Sequence, residues 1–320
     1  LNLHRGANAK LFGEQLRKDG IQVLRVFDQT TKQPNGRVRV RVSGTADLPK
    51  LAAYPEVKWI EEEGDITIDA ADGLLPYNGG VQGIIQSNGA ATPLYNNGIR
   101  GEGQVVGLID APLDMNHCFF TDGAVANPGP THRKVVGFRQ VTASPFAAAA
   151  NCNSGHGTHT AGTVAGNSAG NANNGIAFNA KLTYGDLNDV AFSNGGGTRT
   201  FAQYLDEARS DGAFVHSNSW SDKNSAVQNA YTALSQDLDD FTWNDEDQLV
   251  VVSSGNNIDT NNDGNNDSPS PIRPPFSSKN GLCVAASSEA NTNNIATGGV
   301  GPTFDNRRKP EIYAPGNTTT

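Results

Sequence analysis

Cysteine is scarce in this chain: Cys118, Cys152 and Cys283 are the only three among 320 residues. So few exclude a small scaffold stapled by many disulfides. In a secreted protein, an odd count leaves one thiol free or paired outside the chain. No apolar run reaches the length needed to cross a bilayer, which argues against a membrane partner. No signal-peptide pattern stands at Leu1. That absence does not imply the cytosol, because a mature secreted chain has lost its signal. A basic stripe is missing too. The net charge is −9, and residues 1–70 carry 11 Lys/Arg against 10 Asp/Glu, so the acidity lies in the remainder. Nucleic-acid binding is therefore not expected, and the acidity reads as a solvated surface. No repeat occurs at solenoid periods.

What is present is length for one large and one small domain, and 36 glycines suited to tight turns and close backbone approach. Residues 1–71 read as a small α+β unit. "ANAKLFGEQLRKDG" predicts a helix stopped by Gly20, "IQVLRVF" a strand, and "RVRVRV" a strand with one wet face. "ADLPKLAAY" predicts a short helix and "VKWIEEEG" a closing strand with a charged end. Residues 72–100 are rich in Gly, Asn and Pro and read as a linker or extended segment.

From residue 101 to 320, apolar runs alternate with helical patterns. "QVVGLID", "AKLTYGDL", "AFVHSNSW", "QLVVVSSGNN" and "GLCVAASS" predict strands. "GTHTAGTVAG", "RTFAQYLDEARSDG" (Phe201, Leu205 and Ala208 on one face) and "SAVQNAYTALSQDLDDF" predict helices. This order argues an α/β fold, a mostly parallel sheet with helices on both faces. Ligands bind such sheets at the carboxyl ends of the strands, where Asp110, Asn218 and Asn256 fall. "GIRGEG" before "QVVGLID" is not a dinucleotide fingerprint, because its glycines precede the strand.

A histidine opening a small-residue helix can present its ring to a cleft, and a general base needs a partner that fixes its tautomer. Asp110, at the end of an apolar strand, is the candidate partner for His156. Three motifs in order resemble those of the subtilisin-like serine proteases. These are "GQVVGLIDAPLDMNH" with Asp110, "GHGTHTAGTVAG" with His156, and "VVVSSGNN" with Asn256. "SNSWS" is similar to the strand lining the primary specificity pocket, and "RRKPEIYAPG" to the stretch before the nucleophile segment. The first 71 residues resemble the family's inhibitory propeptide, an α+β ferredoxin-like domain, in size, element order and acidic "WIEEEG" ending.

The resemblance implies peptide-bond hydrolysis through an acyl-enzyme. His156 would act as base, Asp110 as its orienting carboxylate, and Asn256 as a donor to the oxyanion. Ser217, Asn218, Ser219, Trp220, Ser221 and Gly255 would line the substrate cleft, with Trp220 either a pocket wall or plain core. The implied partners are a peptide or protein substrate and the chain's own propeptide-like domain as inhibitor. The implied location is extracellular or periplasmic.

The nucleophile is missing. The family carries it in a Gly-Thr-Ser-Met-Ala segment, and no Gly-Thr-Ser occurs in these residues. Three readings follow: a second chain supplies the serine, a longer chain does, or the protein is inactive. The first is favoured, because a sheet lacking its central helix would expose a large apolar face. Cys283 could then pair beyond Thr320. The rival class is a non-catalytic peptide- or partner-binding protein. Asp110-Ala111-Pro112 also departs from the family's Asp-Thr-Gly or Asp-Ser-Gly, which removes a hydroxyl that could bond the carboxylate.

Weaker signals remain. "DTNNDGNND" spaces Asp259, Asn261, Asp263 and Asp267 as in a calcium loop, without the Glu of a full EF-hand; the alternative is a polar surface loop. Cys118 and Cys152 flank motifs that meet at the active site, so they either form a disulfide or stay reduced. Zinc at Cys152, His156 and His159 matches no common ligand spacing. His117, His132 and His216 read as structural. Asn317-Thr318-Thr319 is a glycosylation sequon.

Overall fold

The computed structural model describes residues 1–31, 33–64, 66–68, 93–139, 155–169, 174–187, 199–222, 224–256, 270–288 and 295–317. The chain forms two compact units, Leu1–Glu63 and Gly64–Thr320.

In the first unit, strands β1 (Asn2–Leu3), β2 (Gln22–Phe27), β3 (Arg37–Arg41) and β4 (Val57–Trp59) form one antiparallel sheet in the order β2-β3-β1-β4. Helix α1 (Ala9–Lys18) starts where the Asn8 side chain accepts the Leu11 amide, and it ends on Arg17 and Lys18, which suit the negative end of the helix dipole. Its buried face, Ala9, Phe12 and Leu16, packs with Leu3, Val38 and Leu51. Leu51 comes from the short helix α2 (Leu48–Ala52). The alternation expected in β3 is imperfect, because Arg37 is buried along with Val38.

The second unit is built on an eight-stranded sheet. Its strands are β6 (Val105–Asp110), β7 (Val135–Arg139), β8 (Lys181–Asp186), β9 (Ala213–Asn218), β11 (Leu249–Ser253), β12 (Leu282–Ser288), β13 (Ile295–Thr297) and β14 (Ile312–Asn317). The order is β13-β12-β11-β9-β6-β8-β7, with β14 also paired to β12, and only the β12–β13 pair is antiparallel. Two further strands, β5 (Ile66–Ile68) and β10 (Trp220–Asp222), pair with each other. The helices are α3 (Pro93–Asn96), α4 (His156–Ala165), α5 (Phe201–Ser210) and α6 (Ala233–Asn244).

Strand β6 shows why its run is apolar on both faces. Successive side chains point to opposite sides of a sheet, so Leu108 and Ile109 enter different cores. Ile109 joins Phe201, Leu205, Leu238 and Val252, in the core beneath α5 and α6. Leu108 joins Ala161, Ala165, Leu182 and Tyr184, in the core beneath α4. The small residues of α4 let its backbone lie close to the strands. Helix α5 is fixed at its start by a capping box between Thr200 and Gln203.

The α4 side of the sheet continues as an apolar surface across β9, β11, β12 and β14. Register pairs Val215 with Leu249, Val251 with Ser217 and Leu282, and Val284 with Ser253 and Ile312, so these residues share that face. Val215 and Ile312 are 40% and 46% exposed, and Val251 and Val284 are half-buried.

Two expectations need correction. The helix expected over "SAVQNAYTALSQDLDDF" begins only at Ala233, after a short 3₁₀ turn at Ser225–Val227. Asn229 adopts φ 60° and exchanges hydrogen bonds with Ile272, a tertiary tie that breaks the helical path. Gly64–Ile68, read as the end of the first domain, belongs with the second unit. Most of residues 72–100 lie outside the described residues, as do Asp259, Asn261, Asp263 and Asp267.

Candidate active site

Asp110 is the last residue of β6 and His156 the first of α4. The strand thus delivers a carboxylate to the carboxyl edge of the sheet, and the helix starts beside it. His156 Nδ1 and Asp110 Oδ1 are hydrogen-bonded to each other, with both side chains almost wholly buried. The Ala111 amide also donates to Oδ1, at 2.6 Å. Thr160, one turn along α4 from His156, donates its hydroxyl to the other oxygen, Oδ2, at 3.1 Å. A carboxylate held at both oxygens cannot swing away from the ring.

The segment after Asp110 is tied down as well. The fully buried Tyr184 donates its hydroxyl to the Ala111 carbonyl. Burial raises the Tyr184 phenol well above its usual range, and the Asp110 charge adds to this, so it stays a neutral donor. Thr158 accepts the Asp114 amide at 2.8 Å. Gly157 is required here, since a Cβ would meet both the Ala111 carbonyl and the Tyr184 hydroxyl. Burial lowers the pKa of the neighbouring His159, and the His156 charge lowers it further.

Asn256 follows β11 at the same edge of the sheet and is half-buried. The backbone before it is fixed on both sides. Ser254 donates to the Val284 carbonyl at 2.8 Å and accepts from the Gly299 amide at 3.0 Å. Gly255 then takes φ +87°, a left-handed turn that favours glycine.

The predicted cleft residues divide. Ser217 and Ser219 are half-buried. Asn218 is buried and gives its amide to the Val251 carbonyl. Trp220 is wholly buried and stacks edge-on against Phe201 at 5.0 Å, so its side chain is core and not an exposed pocket wall. Ser221 is also fully buried. What β10 offers a ligand is backbone. Its Trp220, Ser221 and Asp222 pair antiparallel with Ile68, Thr67 and Ile66 of β5.

Among the described residues, no group of three His, Cys, Asp or Glu could hold a metal, and no helix is long and apolar enough to cross a membrane. Cys118 is a free, exposed thiol, and Cys152, its expected partner, lies outside the described residues. Cys283 is fully buried in the core beneath α5 and α6. His132 is buried and accepts the amides of Lys134 and Val135, and His216 is buried against Gly107, both structural places. The Thr160 and Tyr184 hydrogen bonds and the β5–β10 pairing are contacts that motif reading passed over. Thr160 was open to detection, since it stands four residues after His156 on a predicted helix.

A family model described as "Subtilase family" matches residues 101–320. The chain is 32% identical over 258 residues to the serine protease/ABC transporter B family protein tagA of Dictyostelium discoideum, covering 78% of this chain and 14% of that protein. It is 26% identical over 273 residues to subtilisin-like protease 1 of Pseudogymnoascus destructans, covering 85% of this chain and 58% of that one. It therefore spans only part of the length of these relatives. Among solved structures, fervidolysin from Fervidobacterium pennivorans aligns over 98% of this chain and 46% of its own, with TM-score 0.57 and 18% identity. The S393A mutant of the epidermin leader peptide processing serine protease of Staphylococcus aureus aligns over 98% and 75%, with TM-score 0.56 and 16% identity. At these identities the likeness is one of fold.

Proposed function

Because the chain belongs to the subtilase family, a family of serine proteases, we propose that it forms part of an endopeptidase that cuts peptide bonds through an acyl-enzyme. The buried His156–Asp110 pair at the carboxyl edge of the sheet carries this reading. In the mechanism, His156 takes the proton of a serine hydroxyl as that oxygen attacks the substrate carbonyl. Asp110 holds the tautomer and stabilises the imidazolium that forms. His156 then passes the proton to the leaving amine, and later activates the water that hydrolyses the ester. Asn256 donates to the oxyanion, and losing such a donor costs about 3–4 kcal/mol of barrier.

The serine comes from a segment outside residues 1–320, either a second chain or a continuation of this one. The support is the apolar face of Val215, Val251, Val284 and Ile312, on the same side of the sheet as α4. A helix laid there gains about 25 cal/mol for each Å2 of apolar surface covered. The substrate binds as an extended strand along the backbone of β10, a mode supported by the way β5 already pairs there. The first unit, with its acidic Glu61–Glu63 end, serves as an intramolecular inhibitor and folding aid. Placement outside the cytoplasm and a structural Ca2+ at Asp259, Asn261, Asp263 and Asp267 complete the proposal, on sequence grounds.

The test is a fluorophosphonate probe followed by denaturing intact mass. Covalent labelling of a serine in a companion or continuing segment is the expected result. Failure of every such assembly to label would sink the endopeptidase reading in favour of a binding protein.

A further inference from the structure

We infer that Thr160 and Tyr184 are positioning residues for Asp110, Thr160 supplying the carboxylate donor that Ala111 cannot and Tyr184 pinning the backbone that follows. The inference rests on reading the His156–Asp110 pair as the catalytic base and its partner.

Asp110 must keep Oδ1 on the imidazole. A carboxylate turns about its Cβ–Cγ bond unless its second oxygen is also held. Residue 111 is Ala and residue 112 is Pro, so the two following side chains offer no donor. Thr160 fills the gap by donating to Oδ2 at 3.1 Å. The Gly157 carbonyl lies 3.2 Å from the same hydroxyl, but a hydroxyl has one proton and the ionised carboxylate is the stronger acceptor. Thr160 sits one turn from His156 on α4, so the base and the donor that orients its partner move as one rigid body.

Tyr184 acts on the backbone. Its strand β8 lies beside β6 with Leu108 opposite Tyr184 and Asp110 opposite Asp186. The phenol reaches past the strand end to the Ala111 carbonyl, a buried acceptor that would otherwise need another partner. Pro112 stiffens the same turn. The peptide leaving Asp110 is therefore pinned to a neighbouring strand, and Gly157 leaves room for the contact. Thr160 and Tyr184 both act through Asp110.

The experiment is proton NMR of the chain labelled with 15N-histidine, watching the downfield Nδ1–H signal of His156, assigned by its loss in His156→Gln. Thr160→Val is expected to move this signal upfield or lose it to exchange, with little change in Tm. Thr160→Ser is expected to restore it. Tyr184→Phe gives an independent shift should Thr160→Val fail to fold. An unchanged signal in both Thr160→Val and Tyr184→Phe overturns the inference and leaves the His156–Asp110 pair standing. Absence of the signal from the parent chain overturns the pair, and the inference with it.

Discussion

Asp110 carries the sharpest consequence at the scale of single residues. Removing its charge while keeping its shape, as Asp110→Asn, offers His156 the wrong tautomer. In the assembled protease this is expected to lower kcat by about 10⁴ with little change in Tm. A steady-state assay beside a melting curve checks both halves. His216 is a second case. Burial pushes its pKa down from 6.5 to about 3, so the folded chain holds it neutral. Between those two values the unfolded chain binds the extra proton, so stability rises with pH there and falls on acidification. A His216→Gln variant is expected to flatten the dependence of the urea midpoint between pH 7 and pH 4. A slope equal to the parent's would show that other groups set it. Thr160 and Trp220 show the limits of motif reading at this scale. The motif containing Thr160 named the base, but its packing against Asp110 needs two elements to meet. Trp220 stood beside pocket residues in the chain, yet its ring turned into the core against Phe201.

Among the elements, the β5–β10 pairing has the clearest consequence. Three residues of β5 cover the backbone of Trp220–Asp222, the edge proposed for substrate. Proline lacks the amide a ladder needs. Thr67→Pro is therefore expected to loosen β5 and raise kcat/KM of the assembled protease for a peptide substrate. An unchanged value would mean that β5 does not compete. Helices α1 and α5 were legible because their caps and apolar spacing are local, and α4 because its small residues form a short contiguous motif. Helix α6 was overextended because Asn229 is turned by Ile272, which lies far along the chain. Strand β5 was not legible for the same reason, since its partner is more than 150 residues away.

For the whole molecule, the two-unit chain and its open apolar face concern assembly. Denaturing intact mass of the active material is expected to reveal a segment beyond the 33.7 kDa of these residues, carrying the reactive serine. Labelling on a species of 33.7 kDa alone would place the nucleophile within residues 1–320, against the proposal. If calcium is structural, a chelator lowers Tm, and calcium but not magnesium restores it. No change in Tm would remove the calcium site.

The residues by themselves determined the α/β class and the family, and singled out Asp110, His156 and Asn256 as candidates. Each of these is written in local periodicity or in a short motif. The tertiary structure alone decided what holds Asp110 in place and which side chains of the "SNSWS" strand are core. Those outcomes depend on contacts between segments far apart in the chain, and no local pattern encodes the partner.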